Sequence, residues 1–138
     1  MSKKLLHADI TGKILKAYYH VYGILGYGFL EKVYENAMCV TLRKMGLVVR
    51  QQRPSEVVFE DTIVGKYYAD LVVSNRVVVE LKAAEQICSA HEAQLLNYLR
   101  ATDLEVGLLL NFGKQPEFSR KAFANHRKLS RTWRPAQA

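Results

Sequence analysis

Cysteine is scarce in this chain, which has only two, Cys39 and Cys88, among 138 residues. They lie far apart and lack the paired spacing of a structural zinc site, so nothing in the sequence indicates a metal-stapled module. A disulfide between them is not excluded by sequence, but we expect two reduced, buried thiols, as is usual in a cytoplasmic protein.

Long apolar runs are also missing. No uninterrupted apolar segment is long enough to span a bilayer, and the start "MSKKLLHADITGK" lacks the apolar core of a signal peptide. The sequence therefore predicts a cytoplasmic protein with no membrane partner. With 49% hydrophobic and 24% charged residues, its composition is that of a globular domain with its own core.

Acidic residues are nearly absent from the C-terminal part of the chain. Between positions 114 and 134 Glu117 is the single acid against seven basic residues, so this segment carries +6 of the formal net charge of +7. A basic end of this kind is either the electrostatic footprint of a nucleic-acid binder or a solvated tail. The basic residues are Lys114, Arg120, Lys121, Arg127, Lys128, Arg131 and Arg134.

Apolar residues recur at helical spacing in two N-terminal segments, residues 9–25 and about 29–45. Asp9 or Thr11 is the expected N-cap of the first helix, and Gly46 is placed to end the second. The apolar side of the second helix is assigned to Leu30, Val33, Tyr34, Ala37, Val40 or Thr41, and Leu42.

Strand-like segments follow. "LVVRQQR" and "SEVVFE" lie on either side of Pro54, "KYYADLVV" and "RVVVELK" flank a turn, and "EVGLLLNFG" and "EFSRKAF" come later. Between them "SAHEAQLLNYLRAT" predicts a third helix, with Ser89 and Glu92 as a capping box. This order predicts an α/β fold, an α+β sandwich in which helices flank a central mixed sheet.

Two acids and a base interrupt the apolar strands of the predicted hairpin: Asp70, Glu80 and Lys82. Glu80 and Lys82 are two apart and so share a face. A two-residue loop would send Asp70 to the opposite face, whereas a three-residue loop would place Asp70 beside Glu80. The sequence leaves both loops open, and the chemistry favours the second.

Paired carboxylates on a rigid sheet are suitable ligands for Mg²⁺ or Mn²⁺, and a neighbouring lysine can assist attack of water on a phosphate. The alternative is an ordinary surface pair on a hairpin. On the third predicted helix Gln94 and Tyr98 share a face, and His91 is either a further polar contact or a first-turn cap.

Five motifs in order carry a family resemblance. "GFLEKVY" fits G-x-x-E-x-x-Y as Gly28, Glu31 and Tyr34, and "YYADLVV", "VVVELKA", "HEAQLLNYLR" and "GLLLNFG" follow it. Over about residues 10–123 the chain resembles a GxxExxY-family protein of the PD-(D/E)XK nuclease superfamily. Ala69 stands where the proline that names the superfamily would precede the aspartate.

The resemblance implies a restriction-endonuclease-like core with a metal site on the hairpin. Asp70, Glu80, the Leu81 carbonyl and Glu31 would hold the metal, Lys82 would be the motif lysine, and Gln94 with Tyr98 would match the Q-x-x-x-Y element of RecB-like nucleases. Residues expected to contact substrate are Tyr98, Tyr34, His91, Lys114, Arg120 and Lys121. We assign Tyr18, Tyr19, Tyr22, Tyr27, Tyr67 and Tyr68 to packing instead of base stacking.

The sequence therefore predicts a Mg²⁺- or Mn²⁺-dependent nuclease that hydrolyses phosphodiester bonds through a metal-activated water. The expected partner is nucleic acid, with DNA preferred over RNA, and a homodimer or a larger protein partner is an open alternative. A non-catalytic nucleic-acid-binding or adaptor protein with the same fold is the competing interpretation. We expect one nuclease-like domain over residues 1–125 and a basic tail over residues 126–138.

Overall fold

The computed structural model describes residues 5–128 and the backbone of residues 133–135. These residues form three α-helices, six β-strands and a short 3₁₀ turn at Asn125–Arg127. The helices are α1 (Ala8–Leu25), α2 (Glu31–Lys44) and α3 (Ser89–Ala101). The strands are β1 (Val49–Phe59), β2 (Thr62–Val73), β3 (Val77–Lys82), β4 (Val106–Phe112), β5 (Pro116–Ala122) and β6 (Trp133–Pro135).

The described strands form one mixed sheet in the order β5-β4-β3-β2-β1-β6. β3 and β4 run parallel, joined by α3, and every other neighbouring pair is antiparallel. A parallel connection needs a crossover that lies over one face of the sheet, which is the place that α3 takes. The predicted architecture of helices flanking a central mixed sheet is confirmed.

Each face of the sheet has its own apolar core. α1 and α2 cover one face, where Tyr34 stacks on Phe112 with ring centroids 4.1 Å apart. α3 covers the other face with Leu95 and Leu99. A Cβ at Gly107 on β4 would lie 2.7 Å from the Leu95 side chain, so glycine lets α3 approach the sheet closely. The site described below lies where β2 and β3 meet α3.

The helix boundaries correct several predictions. His7, and neither Asp9 nor Thr11, is the N-cap of α1, with a left-handed backbone and no capping side chain. Gly46 follows α2 with φ 86°, as predicted for a C-terminal glycine. The buried side of α2 agrees with the prediction at Tyr34 and Leu42 but not at Leu30, Val33 and Val40, which are exposed. It consists of Tyr34, Glu35, Met38, Cys39 and Leu42.

β1 is one continuous strand and does not break at Pro54, which pairs with Tyr68. The described pairing of β1 with β6 reaches only to Ser55. The N–H that proline lacks therefore interrupts no described hydrogen bond between these two strands. The turn to β2 is formed by Glu60 and Asp61, both with positive φ. This combination is typical of a tight β-hairpin.

The C-terminal part is tied to the body of the protein. The Lys128 ammonium donates hydrogen bonds to the Thr102 carbonyl at 2.8 Å and the Leu104 carbonyl at 2.7 Å, where α3 leads into β4. Beyond it the backbone of β6 pairs with β1, so part of the predicted tail joins the sheet. Arg131 lies outside the described residues.

The two cysteines are both free thiols. Cys39 is buried, as predicted, but Cys88 is exposed, because it lies at the start of α3 and not in a core. Among the described helices, none combines the length and apolar character needed to cross a membrane.

Candidate active site

The turn between β2 and β3 has three residues, 74–76, and not two. Val73 pairs with Val77 across it, and this register carries Asp70 to a position opposite Glu80. The first two turn residues have φ of 53° and 54°, a conformation that asparagine in particular tolerates. Of the two loops that the sequence left open, the three-residue loop is therefore correct.

The Asp70 side chain replaces a backbone acceptor between β2 and β3. Backbone pairing of β2 with β3 stops at Leu71 and Val79. One step further, Oδ2 of Asp70 accepts the Leu81 N–H at 2.9 Å. The carboxylate thus lies where the two strands part, and it satisfies a backbone donor that the ladder no longer reaches.

The side-chain alternation of β2 breaks at Asp70. Ala69 and Val72 belong to the core beneath α3, whereas Leu71 belongs to the core beneath α1 and α2. Across from Asp70, Gln52 of β1 has φ 53°, and its Nε2 lies 3.3 Å from Oδ1 of Asp70. Such an irregularity in paired strands turns one side chain away from the regular pleat.

Glu80 is the most perturbed acid of the site. Its side chain is 7% exposed, and its Oε1 is buried without a hydrogen-bond partner among the described residues. Burial raises the pKa of Glu80 to about 9, and the adjacent Asp70 carboxylate adds to the shift, partly offset by Lys82. The protonated Glu80 carboxyl can share a hydrogen bond with Asp70.

Lys82 lies two residues beyond Glu80 and faces α3. Its Nζ is 3.5 Å from Oε1 of Gln94, the exposed first residue of the Q-x-x-x-Y pair. Tyr98, the second residue of that pair, is buried, and its hydroxyl is 3.4 Å from the Ser55 hydroxyl. The structure therefore brings Gln94 to the lysine, and packs Tyr98 between α3 and β1.

Tyr67 was assigned to packing by sequence, but it also borders the acids. Its ring centroid lies 4.9 Å from that of Tyr98, and burial together with the charges of Glu80 and Asp70 raises its pKa. Tyr67, Gln94 and Tyr98 line a groove of about 890 Å³ between α3 and the β1–β2 hairpin. Asp70, Glu80 and Lys82 do not line this groove themselves, and Tyr67 and Gln94 are the residues that connect it with the candidate site.

The acid of α2 that reaches the sheet is Glu35, which sequence reasoning missed. Glu35 is 4% exposed and accepts hydrogen bonds from Lys32 at 2.9 Å, Gln51 at 2.7 Å and Gln52 at 2.8 Å. Since Gln52 also contacts Asp70, Glu35 is joined to the hairpin acids through one side chain. Glu35, Cys39 and Leu42 are spaced i, i+4 and i+7, and this spacing was the signal in the sequence that Glu35 lies on the buried side of the helix.

Glu31 and Tyr34, the other motif residues of α2, lie elsewhere. Glu31 is exposed in the first turn and borders a separate hollow with Ala83 and Ala84, just past Lys82. Tyr34 is fully buried, so a substrate could reach it only if the core opened. Its described contacts are with the chain itself.

His91 caps its own helix. The capping box of α3 consists of Cys88 and His91, one residue earlier than the predicted pair Ser89 and Glu92, and Nδ1 of His91 accepts the Cys88 N–H at 3.4 Å. Glu92 instead accepts the Ser119 hydroxyl at 2.8 Å. His91 also borders the groove, but its recorded hydrogen bond is local.

The basic residues expected to contact substrate differ in what they already bind. Arg120 donates to the Leu6 carbonyl at 2.9 Å, and Lys121 pairs with Glu92 at 3.5 Å. Lys114 is exposed on the turn between β4 and β5, where no ion pair is recorded for it among the described residues. Of the three, Lys114 is the most available to an external anion.

The acids fit a divalent cation of the Mg²⁺ type. No group of three or more His, Cys, Asp or Glu side chains suited to a metal occurs within the part of the chain that the structure describes. Mg²⁺, however, needs only one or two carboxylates beside water and phosphate oxygens. Asp70 and the unpartnered Oε1 of Glu80 supply these, and the Leu81 carbonyl points to the same side of β3 as its N–H.

Comparisons with known proteins agree with this geometry. A family model described as the PD-(D/E)XK nuclease superfamily matches residues 8–122. The fold is similar to that in a structure titled "Crystal structure of SSO0001", with a TM-score of 0.55 and 16% sequence identity. That match covers 85% of this chain but 59% of the other, so this chain spans well under two thirds of its length. No curated protein is significantly similar in sequence.

Proposed function

The chain belongs to the PD-(D/E)XK nuclease superfamily, and from that premise we propose that it is a metal-dependent nuclease acting on DNA. The observation that carries the proposal is the pair Asp70 and Glu80 where β2 and β3 separate, with a buried Glu80 oxygen that has no hydrogen-bond partner among the described residues. A buried acid in this state is unfavourable unless a cation or a proton neutralises it. Superfamily members are typically nucleases that use Mg²⁺ or Mn²⁺.

Each hairpin residue has a stated role in this proposal. Asp70, Glu80 and the Leu81 carbonyl would hold the cation, which when bound activates water and neutralises charge on the phosphate. Lys82, directed by Gln94, stabilises negative charge on a phosphoryl oxygen and can hold the attacking water. The ammonium lies 3.5 Å from Oε1 of Gln94, on the side of the hairpin that faces α3.

The remaining predicted residues surround this centre. Glu31 is proposed as an acid at the rim, and Glu35 as the acid that orients Asp70 through Gln52. Tyr98 and His91 would border the substrate in the groove beneath α3. Further substrate contacts are proposed for Lys114, Arg120 and Lys121, of which Lys114 is best exposed. Tyr34, which the sequence also predicted to contact substrate, is buried in the core and is not included.

Finer assignments belong to the same proposal. Gly28, Glu31 and Tyr34 support membership of the GxxExxY group. We also propose a cytoplasmic protein with one nuclease-like domain over residues 1–125, which works alone, as a homodimer or with a larger protein partner. DNA is the proposed substrate, and RNA is the alternative that the assay decides.

The test is cleavage of labelled single-stranded, duplex and branched DNA and of RNA, with Mg²⁺ or Mn²⁺ and with EDTA. Asp70→Asn and Lys82→Ala should each lower the rate by roughly 100-fold or more, whereas Lys13→Ala on the exposed side of α1 should not. Circular dichroism confirms that each variant is folded. Cleavage that persists in both site variants contradicts the proposal.

One observation favours the adaptor as a second candidate. Burial raises the pKa of Glu80 to about 9, so a proton can neutralise this carboxyl without a metal ion. Titration of the protein with Mn²⁺ decides between the two. A nuclease should bind the ion and lose it in Glu80→Gln, while an adaptor should bind nucleic acid without it.

A further inference from the structure

The loop between α1 and α2, residues 26–30, presents three large apolar side chains to solvent. Tyr27 is 57% exposed, Phe29 47% and Leu30 81%. Tyr27 was predicted to be a packing residue, but it belongs to neither apolar core. Apolar side chains so exposed and so close together mark a surface that binds something.

The loop holds this shape through specific contacts. Gly26 and Gly28 have φ of 65° and 110°, values open to glycine but strained for other residues. The buried hydroxyl of Tyr34 donates to the Gly26 carbonyl at 2.7 Å and accepts the Phe29 N–H at 3.1 Å. Both ends of the loop are therefore bonded to one core side chain. The loop backbone that bears the aromatic rings is thus ordered before any ligand binds.

The loop borders a hollow of about 550 Å³ beside the candidate active site. The opposite wall is formed by Ala83 and Ala84, which directly follow Lys82, and Lys114 stands at the edge. Glu31 and Glu85 also line the hollow. These acids disfavour a phosphate inside it, but their oxygens can accept hydrogen bonds from the amino groups of a base.

We propose that the 26–30 loop stacks against an unpaired nucleobase next to the phosphate that is cut. Aromatic rings stack on any base, so they bind unpaired nucleotides without reading sequence. The base would enter the hollow, while its backbone follows Lys82 and Lys114. This inference rests on the proposed function and narrows its substrate to nucleic acid with unpaired nucleotides at the site, such as single strands, overhangs and flaps.

An intact duplex is the poorer substrate on these grounds. Its bases are stacked on one another and offer no free face, so the loop could engage one only after unstacking it. A protein partner is the competing occupant of an apolar loop. Lys114 on the rim of the hollow, and the position of the hollow directly beyond the hairpin site, favour nucleic acid.

The experiment measures binding in EDTA, so that neither cleavage nor metal enters the result. Fluorescent oligonucleotides with blunt ends or with a three-nucleotide overhang are titrated with wild type and with the double variant Tyr27→Ala, Phe29→Ala. A fluorescent adenine analogue in the overhang reports stacking directly. Tyr27→Trp keeps an aromatic ring, and Tyr19→Ala removes a tyrosine that is 48% exposed on α1 as a matched control.

We expect the double variant to bind the overhang roughly tenfold or more weakly, and to bind the blunt duplex within about twofold of wild type. The analogue should be quenched by wild type and by Tyr27→Trp, and not by the double variant. Equal losses on both substrates, no loss on either, or no binding by wild type would overturn the inference.

The other outcomes separate this inference from the proposed function. If the double variant changes the oligomeric state by light scattering and leaves overhang binding intact, the loop is a protein contact and the inference fails. If overhang binding depends on the loop but no substrate is cut, the nuclease proposal fails and base stacking stands. If cutting occurs and loop variants treat overhang and blunt DNA alike, only the inference fails.

Discussion

Glu80 makes the largest single demand on the fold among the described acids. Its carboxyl is buried next to Asp70, and its Oε1 has no hydrogen-bond partner in the part of the chain that the structure describes. Such a group destabilises the native state when it is charged, unless a cation is present. The site is therefore arranged to hold an ion or a proton, and this arrangement lowers the stability of the folded protein when neither is bound.

The stability of metal-free protein should fall as pH rises because of Glu80. An acid whose pKa is raised from 4.5 to about 9 on folding binds more protons in the native state. Its contribution is complete below the unfolded pKa and is lost as pH rises through the folded pKa. At pH 8 in EDTA, Glu80→Gln should raise the free energy of unfolding in urea by at least about 1 kcal/mol.

The matched control is Glu60→Gln, which alters an exposed acid in the β1–β2 turn. It should leave the pH profile unchanged. The gain from Glu80→Gln should also shrink when unfolding is repeated near pH 4, since Glu80 is then protonated in both states. A profile that is flat in wild type would contradict this account of Glu80.

Helix α2 carries two acids with different duties. Glu35 is buried and accepts hydrogen bonds from Lys32 on the same helix and from Gln51 and Gln52 on β1. The two glutamine contacts join α2 to β1. Glu31 is exposed at the start of the same helix. Because Glu35 is buried and Glu31 is exposed, substitutions of the two residues can distinguish effects on stability from effects on activity within one helix.

Glu35→Ala should lower the free energy of unfolding by about 1–3 kcal/mol, since it removes the carboxylate that accepts from Lys32, Gln51 and Gln52. Glu31→Ala should cost less than about 1 kcal/mol, the usual worth of an acid in a first helical turn. Urea unfolding measures both. If Glu31 serves the proposed reaction, its variant should lose cleavage while keeping stability; the reverse pattern would exchange the two roles.

The connection between α3 and β4 depends on Lys128. Its ammonium is engaged by the Thr102 and Leu104 carbonyls, and burial lowers the Lys128 pKa. Lys128→Met should destabilise the protein by about 1–2 kcal/mol, measured by urea unfolding, and leave the salt dependence of nucleic-acid binding unchanged. A flatter salt dependence would mean that Lys128 contacts phosphate after all.

For the molecule as a whole, the sequence overstates the free positive charge. The segment from Lys114 onward holds most of the net charge, yet Arg120, Lys121 and Lys128 already bind oxygens of the protein. Trimming the chain after Lys114 would also remove β5, so it is not a clean test of electrostatics. Single substitutions are needed instead.

Lys114→Gln should reduce the slope of log affinity against log salt by about 0.7–0.9, as expected when one phosphate contact is lost. Because Lys114 is exposed on the β4–β5 turn, the substitution should change the free energy of unfolding by less than about 0.5 kcal/mol. The measurement is a fluorescence titration at several salt concentrations. Lys13→Gln is the control on α1, and an unchanged slope would remove Lys114 from the interface.

The sequence was most informative where periodicity and motif agreed. The order of elements and the superfamily follow from it, and the hairpin loop was limited to two alternatives. It could not choose between them, because register depends on the backbone of the turn. It missed Glu35 for a related reason: which of two acids on a helix becomes buried is decided by the strand it meets, here through Gln52.

The hydrogen bond from Leu81 to Asp70 has one more consequence, for how such a protein can change over generations. Asp70 serves the architecture and the proposed chemistry with the same two oxygens. A lineage that no longer needed catalysis could not discard this aspartate freely, since its loss would leave the Leu81 N–H, between two central strands, without its acceptor. Drift toward an inert binder should therefore begin at Lys82, which is half exposed and holds no backbone group.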